Sequence, residues 1–159
     1  MAGIGEGGMR GGEKGSRGGF AIRPVRNGEE EAVAELWRTC GLVRPWNDPL
    51  RDIASARANA SSEIHVAVTA EDDVAGSVMA GYEGHRGWVY YVAVAPQHRS
   101  QGLGAALMRH AEAWLTRVGA PKVMLMIREE NEAVRRFYEG LGYGVEKRTV
   151  MSRWTDGNP

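Results

Sequence analysis

The chain has 159 residues, enough for one domain with a substantial core and too few for two ordinary ones. It is 43% hydrophobic and 25% charged, the balance of a soluble globular protein, and its net charge of zero provides no broad attraction for nucleic acid. One cysteine excludes an intrachain disulfide and a multi-cysteine zinc site. No apolar run nears the roughly 20 residues that span a bilayer, and the N-terminus shows neither a secretory h-region nor the second-position glycine of a myristoylation signal, so a reducing cytoplasmic home is expected.

Residues 1–19 are dominated by glycine among scattered charges and cannot bury enough apolar surface to offset their chain entropy, which predicts a flexible tail before a single domain over 20–159. Phe20 to Val25 reads as a first strand. Asn27 with Glu30 forms an N-cap pattern for a helix whose apolar stripe is Val33, Leu36, Trp37 and Cys40, with Gly41 past its end. Asp48-Pro49 marks the start of a second, short helix carrying Leu50, Ile53 and Ala54. Ile64 to Ala70 and Val74 to Tyr82 flank a Glu71-Asp72-Asp73 turn and read as a hairpin. After a glycine-punctuated turn from Gly81 to Gly87, Trp88 to Val94 is so continuously apolar that burial on both faces is expected.

Leu103, Leu107, Ala111, Trp114 and Val118 place one stripe on a long helix stopped by Gly119 and Pro121. Val123 to Ile127 reads as a second central strand, parallel to the first because a helix joins them. Asn131 to Glu139 reads as a helix with Val134, Phe137 and Tyr138 facing inward, and Leu141 to Met151 as a final strand or hairpin. His65, His98 and His110 have no ligand spacing with each other or with Cys40, so no metal site is expected, and Cys40 reads as core.

The segment with most chemical content is Arg99-Ser100-Gln101-Gly102-Leu103-Gly104, between the apolar strand and the long helix. Glycines let a backbone approach an anion, and the free N–H groups of a first helical turn point at it. A lone GxG pair also serves merely to ease a tight connection. A Walker A loop is excluded because Gly104 is followed by Ala105-Ala106 rather than Lys-Ser/Thr. A dinucleotide fingerprint is disfavoured because Leu107 stands at the third-glycine place and the next strand is followed by basic Arg128.

Taken with the order of elements, Arg99 to Gly104 after Val92-Ala93-Val94-Ala95-Pro96, and Asn131, Tyr138, Gly142 and Tyr143 downstream, the chain resembles the GNAT N-acetyltransferases over about Phe20 to Met151. Val134 stands where the family often has alanine. Segments 42–49 and 81–87 look like those of the bacterial YpeA-like subgroup. The resemblance implies a mixed α/β (α+β) fold: a central sheet of six to seven strands flanked by about four helices, splayed between its two central parallel strands. It also implies acetyl-CoA as acyl donor, a small-molecule or peptide amine as acceptor, no metal, and a monomer or homodimer.

On that resemblance the cradle of Arg99, Ser100, Gln101, Gly102, Leu103, Gly104 and Ala105 would hold the pyrophosphate, Arg99 adding a charge-assisted contact, while the backbone of Val92, Ala93 and Val94 would pair with the pantetheine arm. Tyr138 is the matched proton donor to the leaving thiolate, against its plain reading as a core aromatic. Asn131 would contact the amide chain and also suits an N-cap. Amine acceptors have pKa values of roughly 10, so a base or water chain is needed. Glu83 is the first candidate and His85 the second, against a merely solvated loop carboxylate. Arg44, Trp46, Asn47 and Arg86 would line the acceptor side, with Trp46 otherwise a hydrophobic anchor. The competing functional class is a non-catalytic acyl-CoA-binding sensor or regulatory module.

Overall fold

A computed structural model of the chain describes residues 19–157. The glycine-rich tail expected over 1–19 lies outside these residues apart from Gly19. The elements run β1 (Ala21–Pro24), α1 (Glu30–Thr39), α2 (Pro49–Ala58), β2 (Ser62–Val68), β3 (Val74–Tyr82), β4 (Gly87–Val94), a 3-10 turn at Pro96–His98, α3 (Leu103–Arg117), β5 (Val123–Met124) and α4 (Glu132–Gly140). The strands form one sheet in chain order, with β1 to β4 antiparallel and β5 parallel to β4. This is the mixed α/β architecture expected, with five strands among the described residues rather than six to seven. Residues 141–151 form no strand: Glu146, Lys147 and Arg148 interrupt the apolar run, and the Glu146 side chain pairs with Lys122 and Arg148.

Local sequence accounts for the helix ends. The Asp48 carboxylate accepts from the N–H groups of Leu50 (3.0 Å) and Arg51 (3.3 Å), and Pro49 occupies the first turn, where its missing N–H costs nothing. Gly41 takes a left-handed φ of +69° as its N–H reaches the Arg38 carbonyl and that of Leu42 reaches Trp37, a Schellman end. The Asn27 cap does not form. The cap position of α1 is Glu29, the Glu29 carboxylate bonds the N–H of Arg26 (2.7 Å) and the guanidinium of Arg23, and Asn27 accepts from Arg57. A doubly engaged glutamate outcompetes a single amide for that position.

Two apolar clusters sandwich the sheet. On one face α3 buries Leu103, Leu107, Met108, Ala111, Trp114 and Leu115 against Ala75, Val78 and Val89. On the other, Val33, Ala34, Leu36 and Trp37 of α1 and Ile53 and Ala56 of α2 pack on Ile64, Val66 and Ala93. Ala54, expected on the α2 stripe, is exposed while Ala56 is buried, and Val118 is exposed past the last turn of α3. Within α4 only Tyr138 is buried. Val134 (36% exposed) and Phe137 (38%) lie at its margin, because the helix covers one edge of the molecule instead of entering a sandwich.

Strand β4 departs most from expectation. Its register with β3 shifts between Met79↔Tyr90 and Ser77↔Ala93, and Tyr91 adopts φ +51°. This is a bulge, and it inverts which side chains face which way. Val89 lies in the α3-side cluster, whereas Tyr91 and Ala93 pack with the α1/α2 side. Both faces of the strand are therefore packed, as expected, except at Tyr90, which is 41% exposed.

Candidate active site

The parallel ladder between β4 and β5 has two pairs, Gly87↔Val123 and Trp88↔Met124. Beyond Trp88 the outer edge of β4 carries no ladder among the described residues, which is the parting expected between the two central strands. The open stretch includes Val92, Ala93 and Val94 and leads through the 3-10 turn into the Arg99–Ala105 segment.

That segment is bent by two left-handed residues, Ser100 (φ +61°) and Gly102 (φ +76°), the latter at the cap position of α3. A glycine meets that conformation without steric cost. No side chain caps α3. The first N–H to reach a carbonyl is that of Ala106, on Gly102 at 3.0 Å, so those of Leu103, Gly104 and Ala105 have no acceptor among the described residues. Three such donors at the positive end of a 15-residue helix are the arrangement an anion can use. A Cβ on Gly104 would stand 3.3 Å from Cζ of Phe137 and 3.8 Å from Val94, so β4, α3 and α4 meet at this glycine.

The side chains of the segment are arranged less simply. Arg99 is exposed, and its guanidinium donates to the Val94 carbonyl (3.3 Å) and lies 3.8 Å from Sγ of Cys40. Cys40 also donates to that carbonyl at 3.4 Å. Gln101 reaches back to the Gln97 carbonyl. The donors free in this segment are thus backbone N–H groups, while the Arg99 guanidinium is engaged by Val94 and Cys40.

Tyr138 is 8% exposed and joined edge-on to Phe137 and Tyr143, with ring centroids 5.0 and 5.7 Å away. Burial pushes its phenol up to about 12, so it keeps its proton through neutral pH. Asn131 caps α4 by accepting from the N–H of Val134 at 3.3 Å. Its capping reading is therefore realised in the described residues.

The expected acceptor side is split by the fold. Glu83 is exposed and accepts from the Arg86 N–H at 3.0 and 3.1 Å. Desolvation pushes its carboxyl up, but its own N–H and those of Arg86 and His85 outweigh this and hold it below the ordinary range. Arg86 turns onto the His85 carbonyl at 2.8 Å. Asn47 lies 3.5 Å from the Tyr91 hydroxyl. Trp46 is 49% exposed and Arg44 half-buried, and neither lines the groove next to these residues.

That groove lies on the α2 side of the sheet. A hollow of about 350 Å³ is lined by Asp52, Ser55, Ala56, Asn59, Ser62, Met79, Tyr90 and Tyr91. It shares Asn59, Ser62, Met79 and Tyr90 with a smaller one of about 240 Å³ that runs to Trp88 and Glu83. Asp52 accepts from the Tyr91 hydroxyl at 2.6 Å; burial, and then this bond, raise the phenol well above its ordinary value. Sequence reasoning missed Asp52, Tyr90 and Tyr91. The available signal was a tyrosine doublet in an otherwise aliphatic strand, but nothing local says that both rings face one way.

Away from the groove, His65 is 1% exposed, with Nδ1 unpartnered and its ring 4.5 Å from that of His110. Burial, aided by His110 and Arg117, lowers it to about 4. No group of three or more His, Cys, Asp or Glu among the described residues is placed to hold a metal ion, and no helix among them is long and apolar enough to cross a membrane.

Comparison with known proteins bears on this site. The profile of the family described as acetyltransferase (GNAT) matches residues 30–143. An acetyltransferase of Pectobacterium atrosepticum is 43% identical over 122 residues, covering 77% of this chain and 86% of that protein. An acetyltransferase of Sodalis glossinidius is 39% identical over 130 residues, covering 82% and 91%. Among solved structures, an acetyltransferase of Trypanosoma brucei superposes with a TM-score of 0.66 at 24% identity, covering 85% of this chain and 99% of that one. An aminoglycoside N-acetyltransferase in complex with CoA superposes at 0.73 with 18% identity, covering 86% and 95%. At these identities the two structures speak for the fold alone.

Proposed function

The chain belongs to the GNAT acetyltransferase family and is an acetyl-transferring enzyme, and from that premise we propose that it moves the acetyl group of acetyl-CoA to a primary amine. The observation that supports this most is the first turn of α3. Its three unclaimed N–H groups lie past the Val94 end of β4, whose outer edge carries no ladder beyond Trp88 among the described residues, so donors for an anion adjoin a free strand edge.

In this reading the pyrophosphate sits on the N–H groups of Leu103, Gly104 and Ala105, and the amide-bearing arm runs along β4 at Val92. The Val94 carbonyl is already taken by Arg99 and Cys40. The neutral amine attacks the thioester carbonyl, the C–N bond forms, and the C–S bond breaks. Tyr138 supplies the proton to the departing thiolate, a role that suits a phenol still protonated at neutral pH. The amine's proton leaves through water at Glu83. With its carboxyl held low, Glu83 is a weak base whose charge draws the ammonium form to the groove. A reaction fed by acetyl-CoA fits a cytoplasmic protein.

Isothermal calorimetry with acetyl-CoA tests the reading. Saturable binding with one site per chain is expected, and absence of binding at large ligand excess overturns it.

A further inference from the structure

We propose that the acceptor is a small amine bearing a second positive charge, which docks over Tyr90 with that charge on Asp52. The inference rests on the acetyl-transfer reading and adds a substrate class to it.

Three observations carry the proposal. Among the described residues, the only formally charged side chains lining the groove are Asp52 and Glu83, and no lysine, arginine or histidine lines either hollow. Asp52 is half-buried, with one carboxylate oxygen bonded to the Tyr91 hydroxyl and no cation paired with it among the described residues. A partly desolvated carboxylate fixed at one oxygen presents the other to an incoming ammonium, and half-burial reduces the screening that makes surface pairs weak. The groove floor is aromatic: Tyr90 is 41% exposed, and its ring lies 6.3 Å from that of Trp88 at 20°. An alkylammonium chain is matched by such a surface, through burial of its methylenes and attraction of its charge to the ring faces.

The fold holds this arrangement at a cost. Tyr90 and Tyr91 flank the bulge, and Tyr91 sits in a left-handed conformation unfavourable to a bulky residue. Its ring is clamped by Trp37 and its carbonyl by Ser77, which aims the hydroxyl at Asp52, 39 residues away in sequence. Arg44 and Arg86, expected on the acceptor side, do not line the groove.

The test compares 1,4-diaminobutane, n-butylamine and 4-aminobutyrate as acceptors in a thiol-release assay with acetyl-CoA, using wild type and Asp52→Asn. The expected order in kcat/KM is diamine above butylamine by about tenfold or more and aminobutyrate lowest, with the diamine advantage collapsing in Asp52→Asn mainly through KM. Direct titration of 1,4-diaminobutane onto the protein in the presence of CoA provides a readout without turnover, and Asp52→Asn is expected to weaken it about tenfold. Equal rates for diamine and monoamine overturn the proposal, as does a preference that survives Asp52→Asn. The wild-type comparison decides even if the variant does not fold. If acetyl-CoA binds but no amine turns over, the transfer reading fails separately, and the diamine titration still decides whether the groove selects a dication.

Discussion

Trp37 and Tyr91 stack face to face, their ring centroids 3.8 Å apart and their planes within 5°. The same pair is tied through Ser77, whose hydroxyl accepts from Nε1 of Trp37 at 2.9 Å and donates to the Tyr91 carbonyl at 3.2 Å. A helix residue thereby holds the strand bulge that shapes the groove. Trp37→Phe keeps a ring but removes the indole donor from a fully buried serine. A loss of about 1–3 kcal/mol in urea unfolding is expected. Weaker acceptor binding with acetyl-CoA affinity unchanged should accompany it, measured by kinetics and calorimetry.

Gly104 is where a side chain would fill the anion seat. Gly104→Glu brings bulk toward Phe137 and a negative charge to the N–H groups proposed to hold phosphate. Acetyl-CoA affinity is expected to fall by about a hundredfold or more, a loss of roughly 3 kcal/mol. Calorimetry checks this, with circular dichroism showing the fold retained. Normal binding would remove the cradle assignment.

Tyr138→Phe deletes one hydroxyl from a mostly buried ring. The turnover rate is expected to fall by about tenfold to a thousandfold while the Kd for CoA changes little, since general acid help is worth roughly two to four powers of ten at most. Because the phenol lies at about 12, wild-type activity should show no alkaline fall from its ionisation below about pH 11. A rate unchanged by the substitution would take Tyr138 out of the chemistry.

His65 makes the fold sensitive to acid. Its ordinary value of 6.5 is lowered to about 4 in the folded chain, so between these values the unfolded chain binds a proton that the folded chain refuses. Stability is then unaffected above about pH 6.5, declines as pH falls toward 4, and has lost about 3 kcal/mol from this group when the decline ends. His65→Phe, which keeps a ring against His110 and Trp114, is expected to flatten that part of a stability–pH curve measured by urea unfolding. An unchanged slope would mean that other groups set the acid limit.

Much of the fold was legible because it is locally encoded. The stripe of α3, the Asp48-Pro49 start, the glycine ends and the hairpin of β2 and β3 depend on residues a few positions apart, so spacing and cap chemistry suffice to find them. The Arg99–Gly104 segment was legible for the same reason: left-handed turns and a helix start are short-range features. The Asn27 cap failed because Glu29 had a better use of that position, with the Arg23 guanidinium and a backbone N–H together. The last strand failed because charges interrupt it and no ladder partner overrides them.

The sequence by itself therefore determined most of the element order, the glycine-bent start of α3 and the family. Only the tertiary structure decided which residues share the groove. Asp52 meets Tyr91 across 39 residues and Trp37 meets Ser77 across 40, and neither spacing has a local signature. The decisive event is the one-residue register shift in β4. Side chains alternate with period 2 along a strand, so a single extra residue reverses every later direction, and that shift is set by the neighbouring strand and the Trp37 clamp rather than by the Tyr90-Tyr91 pair itself.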